Sequence, residues 1–128
     1  MLAVDTNILV RYLTADEPKQ AARVRRLVDG QQIFVATTVL LEAEWVLRSL
    51  YRFEPARLAD ALAAFCGLPT VRLEDPERIT VALQWMRAGM DFADALHLAA
   101  AGECEAFVSL DPRFVRKAKA LGLPVRLT

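Results

Sequence analysis

Short apolar runs alternate with stretches whose apolar residues recur every three or four positions, from one end of the chain to the other. Residues 2–4, 33–36, 71–73, 106–110 and 124–127 are too short for helices and mostly apolar, which predicts strands buried by neighbours on both faces. Between them, Ile8, Leu9, Tyr12 and Leu13 keep helical spacing. So do Ala21, Val24, Leu27 and Val28, then Leu58, Ala61, Leu62 and Phe65, then Ile79, Ala82, Leu83 and Met86. A helix from Thr37 or Thr38 to Leu50 is expected to bury Leu40, Leu41, Val46, Leu47 and Leu50.

Start and stop signals agree with that division. Asp16-Glu17-Pro18, Pro55, Asp75-Pro76, Asp91 and Asp111-Pro112 read as helix starts, since a short acid caps free N–H groups and proline suits the first turn. Gly30, Gly67 and Gly89 read as stops. Strand–helix alternation of this kind predicts an α/β fold, with helices on both faces of a mostly parallel central sheet. No G-x-G-x-x-G follows the first strand and no G-x-x-x-x-G-K-[ST] occurs, which disfavours dinucleotide and P-loop folds.

Composition narrows the class. The chain has 128 residues, 55% of them apolar and 25% charged, as expected of one globular domain over 1–128. Lys plus Arg and Asp plus Glu are both 16, so a broad electrostatic footprint on nucleic acid is not expected. Arg outnumbers Lys, and Arg is the better bidentate partner for phosphate. Cys66 and Cys104 follow no zinc or redox spacing and are expected to be buried free thiols. Asp5 interrupts the apolar N-terminus and no basic lead precedes it, which makes a poor signal peptide. No apolar run approaches the ~20 residues that span a bilayer. A cytoplasmic location is expected.

The candidate chemistry is acidic. Asp5 ends the first strand, where open α/β sheets bind ligands, and a buried strand end gives a carboxylate little structural reason to be there. Glu42 sits among apolar residues in its helix and is expected to face inward, with Glu44 on another face. Asp91 and Asp94 share a helix flank. Asp111 ends the fourth strand. Each has an ordinary explanation: capping for Asp91 and Asp111, a surface ion pair for Glu42, a favourable charge at a helix N-terminus for Asp94. Gathered at one sheet edge, such acids would repel one another unless cations neutralised them, and all-oxygen donors suit Mg²⁺ or Mn²⁺. His97 is the sole histidine, so zinc is not expected. Trp45 and Trp85 read as packing residues. Arg113, Arg116, Lys117 and Lys119 follow Asp111 as a basic run, either a grip for an RNA backbone or a solvated face.

Asp5-Thr6-Asn7 after the first strand, helical Glu42, Asp91-Phe-Ala-Asp94-Ala-Leu and Ser109-Leu-Asp111-Pro-Arg-Phe114 occur in that order. Together they resemble a PIN domain, and most closely the VapC toxins of toxin–antitoxin pairs. The resemblance implies an α/β/α sandwich with a parallel sheet of about five strands and a Mg²⁺- or Mn²⁺-dependent ribonuclease. It implies a catalytic set of Asp5, Glu42, Asp94 and Asp111, with Asp5, Glu42, Asp94 and Asp91 as metal ligands. Asn7 and Ser109 resemble the polar residues that orient the first and last acids. An RNA substrate, a homodimer and a VapB-like antitoxin are the implied partners, and no membrane. Two other readings remain open: a non-catalytic PIN-like interaction module, and a phosphoacceptor domain of the receiver type. The latter lacks its second acid, because Thr6 and Asn7 follow Asp5, and lacks a late strand-end Lys.

Overall fold

A computed structural model describes residues 1–128 as seven helices and five short strands, all paired in parallel. This is the α/β class that the alternation predicts. The strands are β1 (Leu2–Ala3), β2 (Ile33–Val35), β3 (Val71–Leu73), β4 (Phe107–Ser109) and β5 (Val125–Leu127). The helices are α1 (Thr6–Thr14), α2 (Pro18–Gly30), α3 (Thr37–Ser49), α4 (Pro55–Cys66), α5 (Pro76–Arg87), α6 (Phe92–Ala101) and α7 (Pro112–Ala120). No helix is long and apolar enough to cross a membrane. In place of one sheet of about five strands there are two ladders, β1-β2-β3 and β4-β5. They fall in two compact units, Met1–Pro76 and Glu77–Thr128.

In the first unit β2 is the central strand, with Ile33 opposite Leu2 on one side and Val71 on the other. Ile33 and Val35 are fully buried. β1 departs from expectation: Leu2 and Ala3 are exposed, on a strand at one edge of its ladder. α1 packs on α2 and α3, and α3 on α4. Their buried faces carry Leu9, Val28, Leu40, Leu47, Leu58 and Leu62. Phe65 meets Tyr12 edge to face at 5.5 Å, a geometry that adds to the area it buries.

Helix α3 turns differently from its apolar pattern. Its buried residues are Leu40, Ala43, Glu44 and Leu47, whereas Leu50 is exposed and Leu41 and Val46 are half-buried. Trp45, expected to pack, is exposed. Neither threonine caps this helix. Ala36 holds the cap position, and the Glu74 carboxylate accepts from the Thr37 N–H at 2.9 Å. A distant acid thereby does the work of a local cap.

Asp16 does not cap α2; Glu17 occupies that position without a side-chain bond. Asp16 instead gathers donors: the Tyr51 hydroxyl at 2.9 Å, the Thr14 hydroxyl at 3.1 Å and the Arg11 guanidinium. The Tyr51 hydroxyl above all, and then Arg11, hold its carboxyl below the usual range. A native value below the unfolded one means that the stabilisation is full at neutral pH. It is lost as pH falls below the ordinary carboxylate value of 3.8. Asp16→Asn is therefore expected to flatten the acid limb of the stability–pH profile. Urea unfolding from pH 7 down to pH 2.5 checks this; an unchanged limb would refute it.

In the second unit β4 and β5 pair with Phe107 opposite Val125. α7 packs on both strands, and Phe114 meets Phe107 edge to face at 5.5 Å. The turn after α5 passes through Gly89 at φ +103°. The Lys117 ammonium donates to the Gly89 carbonyl, and a Cβ at Gly89 would lie 3.0 Å from that nitrogen. The backbone conformation favours glycine here, while the lysine tip would have to give way only slightly to a Cβ. Both cysteines are free. Cys66 is half-buried, and burial pushes its thiol up to about 12, whereas Cys104 is exposed; neither is the fully buried thiol expected.

Candidate functional site

Three of the singled-out acids turn out to be helix N-caps. Asp5 Oδ1 accepts from the Ile8 N–H at 3.1 Å at the start of α1. Asp91 Oδ2 accepts from the Asp94 N–H at 3.2 Å at the start of α6. Asp111 Oδ1 accepts from the Arg113 N–H at 2.9 Å and the Phe114 N–H at 3.4 Å at the start of α7. Asp5 therefore has a structural reason to stand where it does, since it is exposed and its strand is not buried. Capping and ligand holding are compatible. In each case a single carboxylate oxygen takes the backbone N–H, and a carboxylate offers about four lone-pair sites.

In the first unit the hydroxyl of Thr6, a buried residue at the first position of α1, donates to Glu42 Oε1. It ties the start of α1 to the second turn of α3. Glu42 is exposed, not inward-facing; the buried acid of α3 is Glu44. Arg48 holds Glu44 with two bonds, Nε at 2.8 Å and a terminal nitrogen at 3.3 Å. Asp5 and Asn7 line a cleft of about 710 Å³ together with Arg11, Gln20 and Arg23. Sequence pattern does not mark Thr6 as a positioning residue. Its only signal in the chain is its place between Asp5 and Asn7 at a strand end.

In the second unit Asp91, Asp94 and Asp111 interact. Burial pushes the Asp94 carboxyl up, and the charges of Asp91 and Asp111 add to this, while His97 one turn along α6 works against it. Asp94 is the half-buried member of the three; Asp91 and Asp111 are exposed. Ser109 Oγ accepts from the Asp111 N–H at 3.0 Å, so Ser109 braces the backbone of this acid and not its carboxylate. Of the basic run, Lys117 is committed to the Gly89 carbonyl, while Arg113, Arg116 and Lys119 are exposed.

The donors of each unit suit a hard divalent cation: carboxylate oxygens with Thr6 and Asn7 in the first, and with Ser109 in the second. The mutual repulsion of Asp91, Asp94 and Asp111 is what such a cation would relieve. The acids are not drawn to a common point, however: no three His, Cys, Asp or Glu side chains form a metal-holding group. Charge repulsion acts over longer distances than metal–oxygen bonds, so the two observations agree.

The profile of the PIN domain family matches residues 2–120. No curated protein matches the chain.

Proposed function

We propose that this chain, which belongs to the PIN domain family, is a Mg²⁺- or Mn²⁺-dependent endoribonuclease and the toxin of a VapBC-type pair. The observation that carries the reading is the second unit's trio, Asp91, Asp94 and Asp111, in which the charges of Asp91 and Asp111 bear on a half-buried carboxylate and His97 offsets them only in part. Such an arrangement destabilises the chain by itself and has its rationale in an external positive charge.

By likeness to the family, the proposed metal ligands are Asp5 and Glu42 of the first unit and Asp91 and Asp94 of the second, with Asp111 as a further catalytic acid. A divalent cation supplies Lewis-acid stabilisation of charge on a phosphoryl oxygen. The chain's own residues do the rest. The caps at Asp5, Asp91 and Asp111 fix one oxygen of each carboxylate on backbone N–H groups, which removes rotamer freedom before any ligand arrives. Thr6 orients Glu42 in the same way. Asn7, exposed beside Asp5 in its cleft, serves as a polar contact for substrate. Arg113 and Arg116 bind flanking phosphates, whereas Lys117 acts by bracing the Gly89 turn. A homodimer and a small VapB-like antitoxin complete the proposal.

The test is cleavage of single-stranded RNA with Mn²⁺ or Mg²⁺ against an EDTA control. Cleavage is expected with metal and absent in EDTA. Asp5→Asn, which keeps an oxygen for the Ile8 N–H, is expected to lower the rate at least ~100-fold, the scale of a lost electrostatic stabiliser. Full activity in EDTA would overturn the proposal. Absence of cleavage with either metal would favour a non-catalytic interaction module.

A further inference from the structure

Helix α2 carries Lys19, Arg23, Arg25 and Arg26 against a single acid, Asp29. Arg25 is occupied: its guanidinium lies 4.7 Å from the Tyr12 ring centroid and donates to the Tyr12 carbonyl at 3.3 Å. Lys19, Arg23 and Arg26 are not. They are exposed and none forms an ion pair. Their spacing of four and then three residues puts all three on one helix face, opposite the buried Ala21, Val24 and Val28. This is a local cation stripe on a chain whose net charge is zero.

Two concavities lie along it. A shallow groove of about 820 Å³ runs beside Lys19, Gln20, Arg23 and Arg26, with Glu17 at one end. The cleft that contains Asp5 and Asn7 is also lined by Gln20 and Arg23. These two residues border both, so the cation face lies beside the cleft. Lys19 to Arg26 spans ~10 Å of helix, enough for its three cations to face neighbouring phosphates of one strand.

Resting on the ribonuclease reading, we infer that the Lys19–Arg23–Arg26 face is the track for the phosphates of a single-stranded RNA and leads the strand to Asp5. The stripe answers the difficulty of an acidic site: phosphates repel carboxylates, so attraction must come from neighbouring cations. Arginine suits this work because its planar fork takes two phosphate oxygens at once. The stripe contacts the backbone and reads no base, so it contributes affinity and not sequence preference.

The experiment compares wild type with the triple variant Lys19→Gln, Arg23→Gln, Arg26→Gln, on a fluorescent single-stranded oligoribonucleotide. Anisotropy titrations in Ca²⁺ from 50 to 300 mM KCl are expected to show at least a 10-fold loss of affinity. The slope of log K against log salt should fall by ~2, from three contacts at ~0.7 each. With Mn²⁺, KM should rise at least 10-fold while kcat stays within threefold. Unchanged affinity, slope and KM in the variant would overturn the track. The nuclease reading would survive that result if Asp5→Asn still abolished cleavage. Wild type that ignores RNA but binds a poly-glutamate peptide, with binding lost in the variant, would overturn the RNA assignment in favour of an acidic protein partner. Equal circular dichroism spectra for the two proteins exclude misfolding as the cause.

Discussion

Asp94→Asn is expected to abolish RNA cleavage, with kcat down at least ~100-fold, while the melting temperature in EDTA stays level or rises. The two halves of this result have one cause. Burial and the charges of Asp91 and Asp111 raise the Asp94 carboxyl above its ordinary value. A native value above the unfolded one means that the folded state binds the proton more tightly. The stability contributed is present at low pH and is lost as pH rises through the native value. At neutral pH ionised Asp94 is therefore a liability to the fold, and Asn removes the charge at nearly constant shape. The Asp94 N–H, which donates to Asp91, is untouched by the substitution. Thermal unfolding at pH 7 and pH 4 gives the check: the variant's advantage should shrink at the lower pH, where more of the wild-type Asp94 carries its proton. A variant that cleaves RNA at the wild-type rate, or that melts well below wild type at pH 7, would refute the account.

Arg48→Ala is expected to destabilise the protein by about 2–3 kcal/mol. Glu44 is 2% exposed, and its carboxylate takes two bonds from Arg48. Truncating Arg48 leaves a buried charge alone, for which the usual penalty is ~3–5 kcal/mol. Arg48 is 47% exposed along its side chain, so water reaches the vacated place and the lower figure applies. The double variant Glu44→Leu, Arg48→Leu should lie within about 1 kcal/mol of wild type, because both charges go and the apolar face of α3 gains a residue that suits it. Urea unfolding of the two variants decides. A double variant as unstable as Arg48→Ala would mean that the pair stabilises the fold beyond neutralising its own burial.

Helix α3 also shows how far sequence pattern reaches. Glu42 and Glu44 stand in one apolar segment, Val39-Leu-Leu-Glu-Ala-Glu-Trp-Val-Leu47. With apolar residues on nearly every side, periodicity does not say which face turns inward. A rotation of about 100° per residue makes two acids two positions apart exchange roles. The inward place was given to Glu42, but Glu44 occupies it, while Trp45 and Leu50 turn outward. The same limit applies to β1. A run of Leu-Ala-Val looks like a buried strand, but exposure depends on which strands flank it, and β1 is the edge of its ladder. Caps were more legible because their chemistry is local. Asp91 and Asp111 cap the helices they precede, as short acids at helix starts do. Asp16 and Thr37 broke that rule where distant partners, Tyr51 and Glu74, made other bonds.

What the sequence determined by itself was the α/β class, the five strands to within two residues, the helix starts at Pro55, Asp91 and Asp111, and the PIN likeness. These rest on interactions between residues a few positions apart, where spacing and geometry are nearly the same thing. The tertiary structure alone decided that Glu44 and not Glu42 is buried, that Thr6 holds Glu42, that Lys117 is bound to Gly89, and that Lys19, Arg23 and Arg26 line a groove beside the Asp5 cleft. Those facts depend on contacts between residues as many as 36 positions apart. Such contacts form only when whole helix faces are buried together, and no local pattern encodes which partner each face will meet.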